Sequence, residues 1–253
     1  MELVDGLAAN EGLLSEDSKN RHGVLKQAFM RTNEDLRNRS FNVSFSGSTA
    51  VAVLLVGNRL ICANVGDSRA VLASCKYPKE IKGIQLPEEF KSLPDDEKIW
   101  LALPLSRDHK PDDEEEFKRI TEANGRVEPY KEADGETVGP SRVWLKNENL
   151  PGLAMSRSLG DKVASQVGVV CEPEIYEMIL GKDDKFIVVA SDGIWEFLPN
   201  DQVIEMVVPF WEKNDPEGAC NLLVEEAIKH WEEEDEVIDD ITIIVVFLKI
   251  NTT

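Results

Sequence analysis

The sequence predicts an α+β protein built on antiparallel sheets, two of them packed face to face with helices outside. Three observations lead there. The stretch SGSTAVAVLLVGNRLICANVGDSRAVLAS holds three β-branched-rich runs separated only by GN and GDS, the punctuation of consecutive antiparallel strands. Two more long apolar runs, FIVVA and ITIIVVFL, flank helical periods instead of alternating with them as βαβ units would. The 253 residues are 42% hydrophobic and 30% charged, enough apolar material for the core of one large domain.

Residues 1–20 are polar and weakly patterned. From His22, the positions Val24, Leu25, Ala28, Phe29 and Leu36 keep helical spacing, and the Asn/Arg/Ser-rich stretch 38–42 ends that helix. Ser48–Val56, Leu60–Val65 and Ala70–Ala73 follow as strands, with Gly57-Asn58 supplying the positive φ angles of a tight turn. Residues 75–99 are rich in Lys, Glu, Pro and Asp and read as a polar, solvated insertion. Pro111 and DDEEEFKRITEANG predict a helix whose first-turn acids meet the positive end of its dipole, with Gly125 as its stop. Residues 127–150 read as loops and short strands. FIVVASDGIWEFL is a buried strand, a tight turn and a helix start. Asn200–Trp211 and Pro216–Glu233 are amphipathic helices, and EEEDE at 232–236 is a solvated helix end. DDITIIVVFLKI is a final buried strand. No repeat or low-complexity linker interrupts the chain, so one domain over residues 1–253 is expected, with the insertion at about 75–99.

Lys and Arg number 28 against 48 Asp and Glu, a net charge of -20. Such a field repels nucleic-acid backbones and anionic membranes, so neither is expected as a partner. It suits divalent cations, although solubility alone accounts for it. Cys62, Cys75, Cys171 and Cys220 form no C-x-x-C pair and read as reduced thiols of a cytoplasmic or nuclear protein. The first twenty residues lack the basic and apolar regions of a secretory signal, and no apolar run reaches membrane-span length. A monomer is expected.

Asp67 lies just past one buried strand, Asp192 just past another, and Asp239-Asp240 just before a third. Carboxylates at strand ends beside Gly or Ser stand at the rim of a sheet. Three such rims that converge would repel one another unless a cation neutralises them, which predicts hard divalent ions with oxygen ligands. The competing reading makes each Asp a turn residue bonded to its own backbone.

The segments SGSTAVAVLL, ICANVGDSRAVL, LSRDHKP, EFKRITEANGRV, LPGLAMSRSLGD, GVVCEPEI, FIVVASDGIWEFL and DDITIIVV occur in that order over residues 46–248. In this order the chain resembles the metal-dependent Ser/Thr protein phosphatases of type 2C. The resemblance implies a central β-sandwich flanked by helix pairs (α-β-β-α) and a centre of two or three Mg or Mn ions. It implies a metal-activated water attacking phosphoserine or phosphothreonine of a phosphoprotein, with no catalytic side chain. Asp192 matches the family's aspartate that binds the core metals. Asp239 matches the aspartate before the last strand, with Thr242 fixing the register; Asp240 stands where the family usually has Asn. Asp67 matches the aspartate of a third, weaker metal, and Glu196 occupies the other third-metal position, often Asp. Residues 164–173 match the flap that touches substrate.

The family also opens with strands bearing an acidic pair, a phosphate-binding arginine and a D-G-H-G-G motif. No match to that motif occurs here; Asp5-Gly6 is followed by Leu-Ala-Ala. The chain is therefore expected to start downstream of it, to bind metal weakly and to have low activity. The rival from another class is a pseudophosphatase, the fold kept as a protein-binding module. A third reading, a Ca-binding interaction protein, lacks a D-x-D-x-D-G loop, and Ser-His-Asp hydrolysis lacks a G-x-S-x-G elbow. His22, His109 and His230 are the only histidines; His109 in the D-H-K-P segment reads as a loop-bonding residue. Arg157 is left with two roles, facing the site or pairing with acids.

Overall fold

The computed structural model describes residues 11–81, 94, 96–132, 134–234 and 237–250. Expectations for residues 1–10, for 82–93 and 95 in the polar insertion, and for 235–236 lie outside the described residues. In chain order the elements are α1 (Ser18–Arg37), β1 (Gly47–Ser48), β2 (Ala50–Val56), β3 (Arg59–Val65), β4 (Arg69–Lys76), β5 (Ile99–Pro104), α2 (Glu114–Glu122), β6 (Gly125–Lys131), β7 (Thr137–Leu145), β8 (Pro151–Leu153), β9 (Leu159–Gly160), β10 (Glu174–Ile179), β11 (Asp184–Ala190), α3 (Asp192–Trp195), α4 (Asn200–Lys213), α5 (Pro216–Glu234) and β12 (Ile243–Phe247). The sheets run β1-β9, β10-β3-β2, β12-β11-β4-β5 and β6-β7-β8. Pairings across β12-β11-β4-β5, β6-β7-β8 and β1-β9 are antiparallel, the α+β class that the sequence predicts.

The chain divides into two compact units. The first takes the described residues up to Ala52, with Cys62–Ser68 and Arg107–Tyr176; the second takes Val53–Ile61, Arg69–Ser106 and the described residues from Glu177 onward.

In the first unit, α1 begins a turn earlier than the apolar period suggests. Asp17 caps it, accepting from Lys19 N at 3.0 Å, a favoured N-cap. The extra turn buries Arg21, whose guanidinium donates to Ser15 O, and a buried arginine leaves no mark on an apolar period. The helix α2 stops at Asn124, which takes the left-handed φ of 64°, and not at Gly125, which opens β6. Strands β6 and β7 are longer than the short strands expected at 127–150. Pro129 conceals them: the register shifts between Glu128 and Tyr130, as a proline inside a strand requires. Ile120, Val143, Ala164, Val167 and Val169 form the core between α2 and this sheet.

In the second unit, alternate residues of one sheet face the helices. Val71 and Ala73, Phe186, Val188 and Ala190 pack with Ile194, Leu198, Val203, Val207, Ala219, Leu223 and Ala227. The opposite parity, Ala70, Leu72 and Ile187, is buried too, as continuous apolar runs predict for a sheet covered on both faces. Three expectations are corrected here. Strand β4 does not continue the β2-β3 hairpin; Gly66 turns the chain with φ 101°, and β4 joins β5 and β11 in another sheet. Strand β12 is not a buried strand. It is an edge strand with alternating burial, Ile244 and Val246 being exposed. The ordered sheet also extends into both ends of 75–99, since β4 reaches Lys76 and β5 starts at Ile99. Trp100 packs on Phe186 at 5.6 Å and edge-on to Trp211 at 5.4 Å.

Trp100→Ala should therefore destabilise the protein by roughly 2–4 kcal/mol, a little below the roughly 3–5 kcal/mol for a fully buried aromatic because Trp100 is only partly buried. Urea unfolding measures it. A change below about 0.5 kcal/mol, the size of a surface substitution, would remove Trp100 from the core.

Candidate active site

Asp67 follows β3 directly and is 2% exposed. Lys110 Nζ donates to its Oδ2 at 2.7 Å, while Oδ1 has no hydrogen-bond partner. A carboxylate out of water needs a positive charge beside it, and Lys110 supplies one. A latch between two loops places the pair. His109 N donates to Gly66 O at 3.1 Å. Gly66 N donates to His109 Nδ1 at 3.0 Å. Asn64 Nδ2 donates to Gly66 O and to Arg107 O, each at 3.0 Å. Because Nδ1 accepts, the ring proton is assigned to Nε2, which lies 3.5 Å from Glu174 Oε2. Burial first, and Arg157 second, push the His109 pKa down to about 3. The ring is neutral at neutral pH and serves as a fastener.

Glu116 is another buried charge of this unit. Its carboxylate accepts from Arg119 Nη1 and Nη2 at 2.7 Å, from Arg157 Nη2 at 2.7 Å and from Ser156 Oγ at 2.5 Å. Burial alone would raise its pKa, but the bonds from Arg119, Arg157 and Ser156 hold it far below the usual carboxylate range. Arg119 donates on to Gly168 O and Ser156 O, and Arg157 to Glu172 O. Of the two roles left for Arg157, the structure gives the pairing one.

In the second unit, Asp192 is the first residue of α3. The neighbouring Ser191 is zipped to the segment carrying the other acids. Ser191 N donates to Thr242 O at 3.0 Å, Thr242 N to Ser191 Oγ at 3.0 Å, and Ser191 Oγ to Asp240 O at 3.1 Å. The approach is close enough that a Cβ on Gly193 would lie 2.7 Å from Asp240 O. Asp192 is half-buried, and Asp239, Asp240 and Glu196 are exposed. Asp239 Oδ1 accepts from Asp240 N at 2.7 Å. Glu196 stands one helical turn beyond Asp192, its N donating to Asp192 O at 2.9 Å. Below them, Trp195 Nε1 donates to Ala190 O at 3.0 Å and Trp231 Nε1 to Gly193 O at 2.8 Å. The structure thus gathers the segments of Asp192, Glu196 and Asp239 at one end of the β12-β11 pair; Asp67 belongs to the first unit.

Residues 7–235 match the family Protein phosphatase 2C. The chain is 36% identical over 261 residues to "Probable protein phosphatase 2C 35" of Arabidopsis thaliana, spanning 98% of this chain and 67% of that relative. The chain belongs to the protein phosphatase 2C family. "Probable protein phosphatase 2C 72" of the same plant is 34% identical over 250 residues, 98% of this chain and 68% of the relative. In fold, the chain is similar to a solved serine-threonine phosphatase 2C from Toxoplasma gondii, with a TM-score of 0.77 over 98% of this chain and 78% of that one, at 19% identity.

The 2C family is generally Mg- or Mn-dependent. The carboxylates at the β12-β11 end are the oxygen donors that hard cations take. Among the described residues, however, no three His, Cys, Asp or Glu groups are placed to hold a metal ion, and Asp67 already has an ammonium against it. The segments of Asp192, Glu196 and Asp239 lie in the second unit, and the Asp67 turn in the first holds an ion pair. Residues 164–169 of the segment matched to the family flap are anchored: Ala164, Val167 and Val169 are core residues. The sequence reasoning missed Lys110 and Glu116. Glu116 carried a signal: it is four residues before Ile120, hence on the same helical face, and both are buried while Phe117 is exposed.

Two outcomes are expected. Lys110→Met strands a buried carboxylate and should cost roughly 2–4 kcal/mol, less than a fully buried pair because Lys110 is one-third exposed. Adding Asp67→Asn should recover most of it, and an equal loss in single and double variants would break the assignment. The second outcome concerns pH. His109 binds its proton at 6.5 when unfolded and near 3 when folded, so the unfolded chain holds more protons between those values and stability falls as pH drops through that window. His109→Gln should flatten the melting-temperature profile there; an unchanged slope would contradict a buried neutral ring.

Proposed function

We propose that this chain carries the metal-binding half-site of a protein serine/threonine phosphatase, with Asp192 and Asp239 as carboxylate ligands to Mg or Mn. The supporting observation is the zipper that ties Ser191 to Asp240 and Thr242. It sets an acid after one strand and an acidic pair before the next at a single sheet end, in a chain of the 2C family. When bound, the ions would supply an activated water and neutralise phosphate oxygens. The protein's own contribution is to fix Asp192 from beneath through Trp195 and Trp231, and to keep Asp239 and Asp240 in water, where an incoming cation reaches them. Glu196, one turn further along and exposed, is the outer acid of the same end. The expected substrate is a phosphoserine or phosphothreonine protein. Lacking a three-ligand group among the described residues, the chain alone should be a poor catalyst.

A second reading, a pseudophosphatase that binds phosphoproteins without turnover, is favoured by Lys110, which occupies the cation position of Asp67.

Two measurements test the proposal. Thermal melts with chelator and with Mn should show stabilisation of the wild type, approaching about 2.7 kcal/mol at a hundred times the dissociation constant, and little in Asp192→Asn. Equal shifts in both would refute the ligand role. Mn-dependent hydrolysis of a phosphothreonine peptide should fall well below ~1 per second, the low end of ordinary enzymes; turnover at or above that rate would refute the half-site reading. Peptide capture without turnover would select the binding module.

A further inference from the structure

The first unit contains a cavity of about 330 Å³ that the phosphatase reading does not use. One stripe of α1, Met30, Asn33 and Arg37, forms a wall. Ser158 and Gly160, then Ser165 and Val169–Glu172, form the remainder. The volume falls at the lower end of small-molecule sites, and a few polar groups converging on apolar lining is their usual chemistry.

Those polar groups are unevenly occupied. Asn33 Oδ1 accepts from Gly160 N at 2.9 Å, which fixes that side chain. Arg37 Nη2 makes one long bond, 3.2 Å, to Gly160 O, out of the five N–H groups a guanidinium offers. Ser158 is 3% exposed and its hydroxyl makes no formed hydrogen bond, although it lies near enough to the Asp161 carboxylate to act on it. Glu172, the acid of the lining, is neutralised by Lys26. The wall therefore presents an under-used guanidinium and a buried hydroxyl, facing the apolar groups of Met30, Val169 and Val170. Arg37 is exposed at the mouth and its remaining N–H groups are open to an incoming anion, while a buried hydroxyl left without a partner, as Ser158 is, is costly and a ligand that meets it recovers that cost.

We propose that this cavity binds a small organic oxyanion, a carboxylate or phosphate monoester on a compact apolar body of about ten non-hydrogen atoms, with Arg37 as its counter-ion. The oxyanion takes the free N–H groups of Arg37 and the Ser158 hydroxyl, and the body packs on Met30 and Val169. A ligand seated there bridges α1 and segment 165–172, so it bears on the loop that Arg119 and Arg157 also hold. The inference does not depend on the metal half-site.

Cys171 lines the cavity and reports occupancy. The probes are phenylacetate, phenyl phosphate and the neutral benzyl alcohol, each titrated against iodoacetamide labelling of the whole chain and read by peptide mass spectrometry. Cys75 and Cys220, which do not line the cavity, are internal controls. Phenylacetate or phenyl phosphate should slow Cys171 labelling saturably, with a dissociation constant on the order of 1 mM for so few atoms; which of the two is tighter tells carboxylate from phosphate. Arg37→Met should weaken protection roughly tenfold, the worth of a charge-assisted hydrogen bond. Should Arg37→Met not fold, Ser165→Leu fills the cavity from a part-exposed turn and should abolish protection. No saturable protection by either anion, equal protection by benzyl alcohol, or protection that survives Arg37→Met or Ser165→Leu would each overturn the proposal.

Discussion

A single buried carboxylate organises the first unit. Glu116 has left water completely, and a lone ion there would be untenable. Two guanidiniums and a hydroxyl surround it, one donor from the helix of Glu116 itself and two from the adjacent residues Ser156 and Arg157. Arg119 continues to Gly168, Arg157 continues to Glu172, and the backbone of Ser156 is tied to His109 through Ser156 N donating to His109 O at 2.8 Å. His109 in turn fastens the Gly66 turn that sets Asp67. Charge satisfaction at one atom pair thus runs through α2, the 156–161 loop, the flap-like segment and the acid turn. This network does what a larger apolar core does elsewhere, but with direction, because hydrogen bonds specify angles where dispersion contacts do not.

The second unit reaches the same end by other means. Backbone and hydroxyl bonds from Ser191 align the two strand ends, and two indole N–H groups brace the short α3 from the apolar side. The acids themselves stay wet. That division is physically sensible: the exposed carboxylates 196, 239 and 240 and the half-buried 192 keep contact with water, whereas a dry cluster would have to shift its titration or capture a cation. Asp67, by contrast, is dry and paired with Lys110.

How much of this could be read beforehand follows from the kind of force involved. Apolar periodicity located α4, α5, β11 and the hairpin β2-β3, because burial of Val, Ile and Leu leaves a period in the chain. It failed where polar atoms were buried or a proline interrupted a strand: Arg21 hid the first turn of α1, Glu116 reads from the sequence only as one of the first-turn acids meeting the helix dipole, and Pro129 hid β6. Sheet membership was also illegible at β4, since three turn residues do not say whether the chain folds back or departs. For the site, the acids at strand ends were legible, while the bonds from Ser191 to Asp240 and Thr242 that join their segments were not. The partner of Asp67 was not, because Lys110 is forty-three positions away and nothing in its local sequence distinguishes a lysine that reaches inward.

The place of β12 has a consequence for how the chain is made. Residues 243–247 supply one outer strand of a sheet whose members β4 and β5 are synthesised more than a hundred residues earlier. Until residues 243–247 are made, β11 has an open edge and Phe186 lacks its ring contact with Phe247, 6.1 Å away in the folded protein. Domains fold as units during synthesis, and unpaired edges are sticky. Pairing on that side of β11, and the ring contact of Phe186, therefore wait until residues 243–247 have been made.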